Sequence, residues 1–318
     1  MIRALLFAGL AIFAASARAQ TCSKPVDAFT PVVELAQATA GLPAAAQVAQ
    51  FDANIIQRFP ALYEPRVTGI APGATRDARI VASLDQIRAS SVSDATKASV
   101  IELLPRITAI YAGDFADFRC DFPIYLMDSL GQLDGAGRIV DGRPSLVIGI
   151  ETLAGENPAG RQVFLTHELF HRYHFQAAGF SDDAGDAQAL WRVLWAEGLA
   201  TYASQKLTPG TSVGDALLLP PHLDALAKPK LAEIVARLLR HLDQPDLETF
   251  NLLFTYGGPQ ARAAGLPDRS GYYVGYLVAA DLGKTRTIYQ LAHLGGPALY
   301  KSIRASLTKI GARDYRPA

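Results

Sequence analysis

One segment constrains this chain more than any other. From Val163 to Phe175 the residues are apolar on nearly every side, the pattern of a helix buried all round, yet the same stretch carries His167, Glu168 and His171. Ionisable groups placed in such a setting need a partner or a metal, because isolated burial is costly. The run His167-Glu168-Leu169-Phe170-His171 is an HExxH pattern. On a helix its two histidines share one face with β-carbons about 5–6 Å apart. Two imidazoles there can converge on one zinc ion through Zn–N bonds of about 2.0–2.1 Å. Glu168 lies one step round the helix, placed to take a proton from a metal-bound water rather than to ligate. The competing reading is a pair of buried histidines satisfied by hydrogen bonds.

A catalytic zinc wants three protein ligands and one open position. The stretch Trp195-Ala196-Glu197-Gly198-Leu199-Ala200-Thr201-Tyr202, on a second candidate helix, offers Glu197 as the third. Its neighbours Leu194, Trp195 and Leu199 are apolar, so an unpartnered carboxylate there would be expensive. With these residues in hand the chain resembles the gluzincins, zinc metallopeptidases with HExxH on one helix and a glutamate ligand on the next, set in a W-x-E-G-(L/F)-A stretch. A third segment, Gly271-Tyr272-Tyr273-Val274-Gly275-Tyr276-Leu277-Val278-Ala279, resembles the Y-x-x-G segment that follows the glutamate helix in aminopeptidase-like gluzincins. That resemblance puts Tyr272 at the position of their transition-state tyrosine, with Tyr273 and Tyr276 near enough to substitute. The G-Y-x-x-G-Y form after Pro267-Asp268-Arg269 is similar to predicted bacterial zinc-dependent proteases of unknown substrate. The likeness covers about Phe122 to Lys284 and leaves the N-terminal third aside.

The chain also departs from the pattern. Exopeptidases of this group often carry a G-x-x-E-N strand whose glutamate binds the substrate's amine. Here Ile148-Gly149-Ile150-Glu151-Thr152 does not fit that spacing, so Glu151 is not assigned as an amine anchor. If the resemblance holds, zinc acidifies its water towards a pKa of about 7 and polarises the scissile carbonyl. Glu168 then shuttles the water proton to the departing amine, and a neutral tyrosine donates to the developing oxyanion. The strand 145–150, just before the metal helix, is a candidate edge for an extended peptide. His174 is too far along the axis to share one ion comfortably with His167 and His171 and reads as structural. Arg269 could bind a substrate carboxylate, though a loop-bracing arginine is the simpler reading. His222, His241 and His293 are assigned no role, and the periodic leucines between Leu226 and Leu242 read as helix packing.

Outside this region the sequence speaks of compartment and framework. Arg3 precedes twelve uncharged, mostly apolar residues, Ala4 to Ala15, and then Ala17-Arg18-Ala19. This is the layout of a secretory signal peptide over residues 1–19, expected to be cut after Ala19; twelve residues are far short of the roughly 20 needed to span a bilayer. In an exported protein the two cysteines, Cys22 and Cys120, most simply form one disulfide. The whole chain carries 30 basic and 30 acidic side chains. That balance argues against a surface built to coat nucleic acid or anionic membrane, and the expected partner is a peptide or protein substrate.

From about Asp27 to Ala112 apolar residues recur at three- and four-residue steps, giving an N-terminal helical region over residues 20–112; one helix is expected from Ser93, with a kink or break at Pro105. Near Phe122 the texture changes. Phe122–Met127 and Ser145–Ile150 read as strands, and Gly131–Pro144, with four glycines, as a hairpin or longer loop. Asn157-Pro158 is a plausible start for the metal helix. The expected fold is α+β, mostly helical, with a zincin-like domain over residues 113–318 whose small sheet lies beside the active helix. The expected function is an exported zinc-dependent metallopeptidase, periplasmic or extracellular, with His167, His171 and Glu197 as ligands, and Glu168 and Tyr272 as catalytic groups. The alternatives are a non-catalytic exported zinc-binding protein and a zinc hydrolase of a non-peptide amide.

Overall fold

A computed structural model describes residues 22–90, 92–180 and 188–312; the expected signal peptide lies outside them. The chain is mostly helical with one four-stranded sheet in the order β1-β2-β4-β3. β1 (Val26–Asp27) and β4 (Arg143–Gly149) run parallel to β2 (Ile124–Met127), one on each side. β3 (Gly135–Val140) folds back antiparallel on β4 with Val140 opposite Arg143. The two residues between them, Asp141 and Gly142, both have positive φ (49° and 72°). Asp-Gly in this conformation is the turn that matches strand twist. A single buried core runs from Ala28 to Ile310 and takes in both the N-terminal helices and the metal helix.

Three expectations are refined. The segment read as a hairpin or longer loop contains β3, which forms a hairpin with β4 although its Gly-Ala-Gly start has little strand propensity. β4, read as a candidate substrate edge, is instead covered on both sides by β2 and β3. The helix Val92–Asp114 continues through Pro105 without a break. Pro105 lies on the exposed side beside Ile101 and Glu102, where a carbonyl deprived of its partner can meet water.

Cys22 and Cys120 are joined, Cα to Cα 4.8 Å, and the bond ties the start of β1 to the segment entering β2. Such a bond belongs to an oxidising compartment. No helix among the described residues is long and apolar enough to cross a membrane.

Three helices position the site. The metal helix, Pro158–Ala178, begins where the sequence suggests: Asn157 accepts a hydrogen bond from the amide of Gly160, Pro158 occupies the first turn, and Gly179 ends the helix in a left-handed conformation. The glutamate helix, Leu190–Leu207, has no side-chain cap. Its first amides instead donate to the carbonyls of Gln244 and Leu242, just past the helix Leu231–His241. The apolar face of that helix (Leu231, Ile234, Val235, Leu238) is buried as packing. The tyrosine helix, Ser270–Leu282, crosses the glutamate helix with Gly275 against Gly198.

Candidate metal centre

The metal and glutamate helices bring three donor atoms together. His167 Nε2 lies 3.0 Å from His171 Nε2, and each of these nitrogens lies 3.3 Å from Glu197 Oε2. Bonds of about 2.0–2.1 Å at tetrahedral angles place ligand atoms about 3.3–3.4 Å apart, so this is the spacing of donors around one small cation. His167, His171 and Glu197 form a group that could hold a metal ion, and no fourth histidine, cysteine, aspartate or glutamate joins it among the described residues.

The surroundings keep the donors in ligating form. Burial pulls the His167 imidazole down to about 4, leaving it neutral with a lone pair at physiological pH. Burial is also the largest single influence on Glu197 and pushes its carboxyl up, but His171 and His167 together hold it well below the ordinary carboxylate range. Glu168 stands apart from the three donors and lines the same cleft. Burial, reinforced by Glu197 and Asp134, raises its carboxyl to about 7, the range suited to exchanging a proton at neutral pH.

The cleft has a volume of about 640 Å³. One wall is β3: a side chain at Gly135 would come within 2.6 Å of the Phe164 ring and 3.0 Å of Glu168 Cγ, so glycine is what lets the strand lie against Glu168. As the end strand of the sheet, β3 has an edge that β4 lacks. The lining also includes Phe250, Phe254, Tyr256, Arg269 and Tyr272. Of the three tyrosines in the Gly271–Ala279 segment, Tyr272 alone lines the cleft. Its ring is stacked 6.4 Å from that of His167. Burial raises its phenol well above the usual value, so it remains a proton donor. Tyr276 instead donates to Gln205 at 3.3 Å, and Tyr273 is buried in the core.

Glu151 and His174 fall outside the cleft lining. Glu151 is buried, and its Oε1 accepts from the backbone amides of Ser129 (2.8 Å) and Gly131 (3.0 Å), bracing the loop that leads into β3. His174 is fully buried among Phe170, Phe175, Phe180 and Trp195, and burial takes its imidazole to about 3. His293 bridges Asp117 and the Tyr289 carbonyl, both at 2.8 Å. Arg269, read from the sequence as a loop-bracing residue or a carboxylate binder, lines the cleft with its guanidinium 3.9 Å over the Tyr272 ring.

The chain matches no family model, no curated protein and no solved structure.

Proposed function

We propose that the protein is an exported zinc-dependent metallopeptidase. The observation that carries this reading is the convergence of His167 Nε2, His171 Nε2 and Glu197 Oε2 at 3.0–3.3 Å in a cleft that also presents Glu168. Two nitrogens and one carboxylate oxygen, with no fourth side-chain ligand among the described residues, are the donor set of a catalytic rather than a structural zinc. A zinc ion held there supplies Lewis acidity and an acidified water.

The chain's own groups do the rest. Glu168 accepts a proton from the attacking water and returns it to the leaving amine, a role its elevated carboxyl suits. Tyr272, kept protonated by burial, donates to the carbonyl oxygen as charge develops on it. The outer edge of β3, in place of the strand 145–150, is where an extended peptide adds to the sheet. The Cys22–Cys120 bond supports an extracytoplasmic location, and cleavage after Ala19 completes the reading.

Elemental analysis of the dialysed protein and of Glu197→Ala tests the metal. About one zinc per wild-type chain, strongly reduced in the variant, is expected. A peptide-library digest with Glu168→Gln as control then tests the chemistry. No zinc in the wild type after reconstitution, or cleavage that survives Glu168→Gln, would overturn the proposal.

A further inference from the structure

Arg269 is the least explained charge in the cleft. It is the residue before the tyrosine helix and adopts a left-handed backbone, φ 55° and ψ 20°, with its amide donating to the Thr255 carbonyl at 3.2 Å. This uncommon conformation for a long side chain turns the arginine towards the cleft. Its guanidinium lies 3.9 Å over Tyr272, and no carboxylate among the described residues comes within salt-bridge distance of it. Tyr272, Glu197 and Asp134 outweigh its desolvation and keep it charged. Of these, Glu197 is committed once a metal binds. A half-buried arginine with no carboxylate in reach wants an anion, and its planar fork suits a carboxylate best.

Position narrows the ligand. The guanidinium-to-Tyr272 and Tyr272-to-His167 separations, 3.9 Å and 6.4 Å, place the cation within about 10 Å of the His167 ring. An extended peptide advances about 3.3–3.6 Å per residue, so that reach is at most about three residues. Beside the arginine run Phe254, 6.2 Å from Tyr272, and Phe250 stacked on Phe254 at 5.9 Å, an apolar wall for a neighbouring side chain.

We propose that Arg269 is a specificity-determining residue that binds a substrate carboxylate within about three residues of the scissile bond, so that the preferred substrates are peptides carrying a free C-terminus or an acidic side chain there, next to an apolar residue. The inference rests on the metallopeptidase reading above.

Calorimetry on zinc-loaded Glu168→Gln protein tests it without turnover. Two matched pairs of short Phe- and Leu-containing peptides serve as probes: a C-terminal acid with its amide, and an internal glutamate peptide with its glutamine counterpart. The carboxylate member of at least one pair is expected to bind about tenfold tighter, the scale of a hydrogen bond to a charged group. The pair that shows the preference identifies the source of the carboxylate. Adding Arg269→Gln should abolish the preference, and Arg269→Lys should retain part of it, with zinc content confirming that each variant is folded. Equal binding within both pairs, or a preference that survives Arg269→Gln, overturns the inference and leaves the peptidase reading standing. Failure of every peptide to bind zinc-loaded protein overturns both.

Discussion

Gly198 and Gly275 meet backbone to backbone where the glutamate helix crosses the tyrosine helix. A β-carbon on Gly198 would lie 2.1 Å from the Gly275 carbonyl carbon, and one on Gly275 would lie 2.5 Å from the Leu194 carbonyl oxygen. Neither neighbour is a flexible side-chain end, so relief requires the helices to part. Glu197 sits beside one glycine and Tyr272 three residues before the other. The contact therefore sets the distance between Glu197 and Tyr272, which both line the cleft.

Alanine at either glycine should destabilise the protein by about 1–3 kcal/mol, the usual cost of overpacking, and weaken metal retention. Gly113→Ala is the control. It lies in the helix Val92–Asp114 with open space where its β-carbon would go, and alanine there should be neutral to stabilising by up to about 1 kcal/mol. Thermal melts with and without zinc check both; equal shifts for Gly198→Ala and Gly113→Ala would refute the helix-contact argument.

Glu168→Gln should retain zinc and lose about 10²–10⁴-fold in turnover. The same variant exposes a pH effect in metal-free protein. Burial raises the Glu168 carboxyl from 4.5 to about 7 in the fold. A folded value above the unfolded one contributes stability in full below about pH 4.5, and that contribution disappears as pH rises through about 7. The wild type should therefore lose stability relative to Glu168→Gln across that window. Urea titrations of both chelated proteins at the two ends measure it, and a pH-independent difference would count against a buried Glu168.

Tyr272→Phe should lower kcat by about 10²–10³-fold, the cost of one oxyanion donor. Tyr276→Phe, whose hydroxyl faces Gln205 rather than the cleft, should change kcat little. Steady-state kinetics on the two variants with equal zinc content separate them; matching losses would shift the role away from Tyr272.

The Cys22–Cys120 bond closes a loop of 98 residues. In the chain-entropy account, reduction should destabilise the protein by roughly 4–5 kcal/mol. Denaturant melts in the presence and absence of reductant measure it, and coincident curves would show that the disulfide adds nothing to the fold.

The sequence alone brought His167 and His171 together. HExxH on a helix places His167 and His171 on one face whatever surrounds them, because helical spacing is local geometry. Asn157-Pro158 and Gly179 marked the ends of that helix for equally local reasons. The cysteine pair was legible because only two exist. Tertiary structure alone decided the walls. β3 was not legible as a strand because it opens on the weak strand formers Gly135, Ala136 and Gly137, and Gly135 is required by Phe164 and Glu168, residues distant in the chain. The same distance hid the burial of β4 between β2 and β3, since the position of a strand in its sheet depends on which segments return to it. Tyr272, Tyr273 and Tyr276 share one helical stretch of similar chemistry. The Gly198–Gly275 crossing holds that helix against the glutamate helix, and of the three tyrosines Tyr272 is the one that reaches the cleft lined by His167, His171 and Glu197.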